Sequence, residues 1–285
     1  MKRAIQHTIW GAVAVLSLGA FVATAGAQTE SGSGASMSGA TSLGKVERAS
    51  KLVGKEVISA DQKRIGKIEN IVVDLESGRI LYTVVNAAHG KVAVAPGVFR
   101  EPAGNDVMAK VDKVKLDAAP QYTSDMDKPD QMGKTEFVSS VYQYFGKSPW
   151  WQGQSAANAS QFNSVQKVTE LDGTKVVNAS DQTIGKVADT GVQLPQGRVV
   201  YVILNPDSSL KLGDEYYALP PNTLTWNADQ KHLVSSLTRE QLAAAPHFAK
   251  DNWAALSSPA FASKVYQYYG KQAWFQPGGL QPTGR

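Results

Sequence analysis

The feature that most constrains this chain is an internal repeat. Residues Leu52 to Asn86 align without a gap on Leu171 to Asn205 at a constant offset of 119. Gly54 meets Gly173, Val57 meets Val176, and Ile65-Gly66-Lys67 meets Ile184-Gly185-Lys186. Gly78-Arg79 meets Gly197-Arg198, and Tyr82 meets Tyr201. Beyond Asn205 the offset becomes 124, a five-residue insertion within "NPDSSLKLGDE", and Pro96 then meets Pro220. Two copies are too few for a solenoid, so the repeat predicts two similar domains in tandem.

Each copy reads as strands first. Glu56 to Ser59 is short and rich in β-formers, "ADQK" is a polar turn, and Ile65 to Leu75 is a long strand. A turn at "ESGR" leads to Ile80–Asn86, which is apolar nearly throughout, the mark of a central strand covered on both faces. Val92 to Ala95 follows, and in the second copy "TLTWNADQKHLVSS" reads as a hairpin about Asn227 to Lys231. Gly66 and Gly185 read as bulge positions, or as places where another backbone passes close by. Helices come late. Thr238-Arg239-Glu240-Gln241 is a capping box, and Ser258-Pro259 gives an N-cap with proline at the first helical position.

The residues quoted above resemble the PRC-barrel domain. The stretch "LVGKEVISADQKRIGKIENIVVDLESGRILYTVV" carries the family's "GxxV" strand, polar turn, "xIGKI", "D…GR" and closing apolar strand. The second copy keeps "LDGTKVVNASDQTIGKV" and "GRVVYVILN". The "AAAPHFAKDNW" stretch is similar to the family's "APxF…DNW" ending, which the first copy keeps only as "AAPQY". The resemblance implies a mainly β fold with short helices: two tandem small β-barrels acting as interaction modules. Each is followed by an aromatic-rich amphipathic helix. It carries over no catalytic residues.

The resulting organisation is a signal peptide over 1–27, a flexible linker over 28–49, a first barrel over 50–122 and a helical appendage over 123–151. A second linker covers 152–163, a second barrel 164–248, and a second appendage with a tail 249–285. The leader rests on Lys2 and Arg3, an apolar run from Ile9 to Val22, and a small-x-small cleavage site at Ala25-Gly26-Ala27. An uncleaved anchor is the competing reading. Either way Lys2 and Arg3 stay cytoplasmic, so the body of the chain is expected to be exported, with a periplasmic or other envelope location.

The chain has no cysteine, which excludes disulfides and thiolate chemistry. Without Lys2 and Arg3 it carries 27 basic against 25 acidic residues, with no charge run. Nucleic acid is therefore not an expected partner. The histidines His89, His232 and His247 lack ligand spacing, so no metal or cofactor is expected. The acidic groups Asp125/Asp127 and Asp214/Glu215 read as solvated loops rather than a paired-carboxylate site.

Two stretches stand out, "VYQYFGKSPWW" (141–151) and "VYQYYGKQAWF" (265–275). Phe137, Val141 and Phe145, with Val138 and Tyr142, fall on one helical face, and Phe261, Val265 and Tyr269 repeat it. Such a stripe docks a helix. Trp150, Trp151, Trp274 and Phe275 lie past the closing glycines, where the chain either folds back or stays exposed to bind a partner or a glycan. The repeated Arg79 and Arg198 either pack over the sheet or read a carboxylate on a partner. The expected function is a non-enzymatic scaffold of the cell envelope that binds a protein or a membrane-associated complex. The alternative is an envelope glycan-binding module using the paired aromatics.

Overall fold

The computed structural model describes residues 43–101, 104–151, 162 and 164–275. The expected signal peptide, most of the linker expected over 28–49, and the segment 152–161 lie outside these residues.

The first copy opens with β1 (Glu47–Arg48) and α1 (Ala49–Leu52). The strands β2 (Glu56–Ile58), β3 (Arg64–Asp74), β4 (Arg79–Ala87) and β5 (Gly90–Val94) then form an antiparallel meander. β6 (Val107–Met108) returns parallel to β2. The sheet curls until Phe99, after β5, bridges Ala109, after β6. Helices α2 (Lys113–Asp117), α3 (Pro129–Met132) and α4 (Thr135–Tyr144) follow. The second copy repeats the plan with β7 (Val165–Lys167), α5 (Val168–Leu171), β8 (Lys175–Val177), β9 (Thr183–Gln193), β10 (Arg198–Pro206) and β11 (Glu215–Leu219). The hairpin β12 (Leu224–Asn227) and β13 (His232–Ser235) comes next, with β13 parallel to β8. The chain continues through α6 (Arg239–Ala244), β14 (His247–Ala249), which pairs with β11, and α7 (Pro259–Tyr268). The fold is mainly β with short helices, two curled halves in tandem.

The apolar run of β4 is buried from Arg79 to Val85, as its composition predicts. In β10 the two faces serve different cores. Val202 and Leu204 face the main core, whereas Tyr201 and Ile203 face a second cluster with Val265 and Tyr266 of α7. A bulge at Val200 sets this alternation. Bulges also fall at Ile65 and Ile184, one residue before Gly66 and Gly185. The glycines answer a further demand: a Cβ at Gly66 would sit 1.9 Å from the Asn86 carbonyl oxygen, and one at Gly185 2.3 Å from that of Asn205.

The two copies share one 14-stranded sheet. Their opening strands are exchanged. β1 of the first copy pairs with β9 of the second, Arg48 opposite Gly191. β7 of the second pairs with β3 of the first, Lys167 opposite Val72. The positions correspond at the repeat offset, so the exchange is reciprocal about an approximate two-fold axis. This corrects the linker expected through 49. Leu43 and Val46 are buried against the α7 cluster, and the Val46 amide donates to Ser257 Oγ at 2.9 Å. A Gly/Ser-rich composition says nothing about two apolar residues at the end of the stretch that have a pocket in the other copy.

Candidate functional site

The joint is built from the two repeated turns. Gly78 and Gly197 adopt φ of +63° and +62°, a left-handed conformation open to glycine at little cost. Each turn then donates and accepts across the axis: the Ile80 amide donates to the Gly197 carbonyl and the Val199 amide to the Gly78 carbonyl, both at 3.0 Å. Each glycine also packs on a proline of the other copy, Gly78 on Pro221 and Gly197 on Pro96.

These hydrogen bonds place Arg79 opposite Arg198. Both side chains are buried, and each guanidinium carbon lies 4.9 Å from an indole centroid of its own copy, Arg79 over Trp150 and Arg198 over Trp274. Burial pushes Arg79 down to about 10, and burial with the charge of Arg79 pushes Arg198 down to about 9. Both stay cationic at neutral pH, and the aromatic faces offset part of the desolvation cost.

The aromatic caps arrive by the same local device in both copies. Gly146 and Gly270 close their helices with positive φ, and the following amides, Lys147 and Lys271, each reach back to Tyr142 or Tyr266 at 2.9 Å. This is a Schellman ending, and it turns the chain back toward the joint. Trp151 stacks edge-on to Tyr142 and Trp150, and Phe275 to Tyr266 and Trp274. Phe162, from the second linker, joins Trp150 and Trp151. Trp151, Trp274 and Phe275 are therefore buried, and Trp150 is half-buried. The exposure that a partner or glycan would need at these residues is replaced by intramolecular packing. The helical stripes dock: Val138, Val141, Tyr142 and Phe145 are buried, as are Val265 and Tyr266.

A second set of contacts locks the exchanged segments. Asp189 of β9, almost fully buried, accepts from Arg48 Nε at 2.7 Å and from the Ser50 amide and hydroxyl. Arg48 also lies 3.7 Å above the Trp253 ring. At the equivalent place in the other copy, Asn70 donates to Thr169 Oγ1 at 2.6 Å. Sequence reasoning missed this pair, because Asn70 and Asp189 differ between the copies and a repeat alignment hides them. Between α1 and α5, residues Ser50, Val53, Val168, Thr169, Asp172 and Asp189 line a depression of about 210 Å³ contributed by both copies.

The acidic groups have basic or imidazole neighbours. Asp125 meets Lys128, Asp127 meets Lys167, Asp214 meets Lys250 and Glu215 meets His247. Among the described residues no group of three or more His, Asp or Glu side chains could hold a metal.

A search of curated proteins finds no match. A model of the PRC-barrel domain matches residues 44–117 and again 165–239, just over half of the chain. Those limits contain β1 to β6 and β7 to β13, the exchanged opening segments included, and leave β14 outside. The chain belongs to the PRC-barrel family, with two copies of its domain in tandem.

Proposed function

We propose that this is a non-enzymatic, exported interaction protein whose two PRC-barrel domains act as one rigid unit to bind a protein or a membrane-associated complex in the cell envelope. The observation that carries this reading is the reciprocal strand exchange, which makes surfaces from both copies at once. The depression between α1 and α5 is such a surface, and Val53 and Thr169 mark its two halves. Export rests on Lys2, Arg3, the apolar run and the Ala25-Gly26-Ala27 site. Arg79, Arg198, Trp150, Trp151, Trp274 and Phe275 belong in this reading to the joint, where they hold the copies together, rather than to the partner.

A photo-crosslinking amino acid at Val53, and separately at Thr169, tests the surface in the full chain. Both positions are expected to trap the same envelope component. Crosslinks scattered over unrelated proteins would sink the proposal. N-terminal sequencing of the protein recovered from the envelope is expected to begin at Gln28.

A further inference from the structure

The two copies differ where the helix after each barrel meets the barrel's last strands. In the second copy this place is an open groove of about 680 Å³. Its floor is one face of the β12–β13 hairpin, with Thr225 paired to Val234 and Ser236 just beyond. Asn222, Gln241, Tyr268 and Lys271 form the sides. Tyr268 is 38% exposed, the only large aromatic so exposed among the described residues. Its hydroxyl donates to the Gln241 carbonyl, which fixes the ring at the rim. The side chains of Asn222, Thr225 and Ser236 make no hydrogen bond to other described residues. None of the lining residues is a carboxylate.

The first copy places different side chains at the corresponding positions. The parallel pairs Val57/Val107 and Val176/Leu233 fix the equivalence, so Lys110 stands where the second copy has Ser236, and Lys115 where it has Gln241. Lys110 Nζ reaches the Gly97 carbonyl at 3.1 Å, and the Lys147 stem lies against Gly97. Lys115 Nζ sits 5.8 Å from the centroid of Tyr144, the counterpart of Tyr268, and Tyr144 makes the same hydroxyl bond, to the Lys115 carbonyl. Lys110 and Lys115 thus stand in one copy where the other has a hydroxyl and an amide, whereas Lys147 and Lys271 correspond.

We infer that the groove of the second copy binds a neutral oligosaccharide. An aromatic ring at the rim offers a face for the apolar side of a sugar ring. Unpartnered hydroxyl and amide groups on the floor and sides can exchange hydrogen bonds with sugar hydroxyls as both donors and acceptors. A groove with no carboxylate among its lining residues binds a glycan without the paired acids of a glycosidase. A peptide adding to the sheet would use the edge of β12, whereas the groove lies on the hairpin face. This site is separate from the paired aromatics of the joint.

Isothermal titration of the full mature chain with cellotetraose, chitotetraose and maltotetraose tests the inference. At least one is expected to bind. Ser236→Lys, which copies the first domain's residue, and Tyr268→Ala are each expected to weaken it by about tenfold or more, while Tyr268→Phe keeps most of the affinity. Circular dichroism melts establish that each variant is folded. Ser236→Lys changes only an exposed position, so it remains informative if Tyr268→Ala is destabilised. The inference is overturned if no tetrasaccharide binds at millimolar concentration, or if binding is unchanged in both Ser236→Lys and Tyr268→Ala.

Discussion

Arg79 and Arg198 face each other across the bridge between β4 and β10, two buried cations each capped by an indole of its own copy. Like charges at a joint are costly, and the planar guanidinium is the cationic group best suited to this position. It stacks on Trp150 or Trp274 and is more weakly hydrated than an ammonium. Arg198→Lys keeps the charge and loses the stack. It is expected to destabilise the protein by about 1–2 kcal/mol in urea unfolding. Arg198→Met removes one of two repelling charges and keeps much of the stem, so its cost is expected to be smaller. A lysine variant as stable as wild type would show that the stack contributes nothing.

The glycine positions separate two kinds of strain. Gly66→Ala drives a methyl into the Asn86 carbonyl, and Gly185→Ala into that of Asn205. Both are backbone atoms in a paired strand and cannot step aside. Each variant is expected to lose about 3 kcal/mol. Gly54→Ala meets nothing within 4 Å and has only its φ of +86° against it, so about 1 kcal/mol is expected. Equal melting temperatures for Gly66→Ala and Gly54→Ala would refute the close-approach account.

Because the opening strands are exchanged and one core contains Ile80 and Leu81 together with Val199 and Val202, the copies should not unfold separately. Scanning calorimetry is expected to show one transition with matching calorimetric and van't Hoff enthalpies. Two resolved transitions would mean that the exchange contributes little to stability. Asp189→Ala, which leaves Arg48 without its buried partner, is expected to lower that single transition by about 1–3 kcal/mol.

Alkaline pH should unfold the protein. Burial raises Tyr82, Tyr142, Tyr201, Tyr266 and Tyr269 well above the ordinary phenol value. The folded state therefore holds these protons more tightly. That stability is fully present below the unfolded value of about 10 and is lost as pH rises above it. The lowered Arg79 and Arg198 act in the opposite sense over part of that range, but they are two against five. The tyrosinate absorbance of these buried residues and the circular dichroism are expected to change together in one cooperative step above about pH 10. Ionisation of these five tyrosines near pH 10 in a protein that keeps its ellipticity would overturn this reading.

Much of this architecture is legible in the sequence. The 119-residue offset, the alternation of turns and apolar runs, and the capping signals at Thr238 and Ser258 give the two sheets and their helices, because they record local preferences. The Schellman glycines Gly146 and Gly270 are equally local, yet the direction in which they send Trp150, Trp151, Trp274 and Phe275 depends on what lies beside the helix. Only the tertiary structure decided that these aromatics cap Arg79 and Arg198. Only the tertiary structure decided that β1 and β7 leave their own copies. Strand partners across more than a hundred residues are chosen by which hydrogen bonds and pockets remain unfilled after each copy has formed. Asn70 and Asp189, unlike in type and alike in place, show why a repeat can be recognised in the chain while the contacts that join its copies cannot.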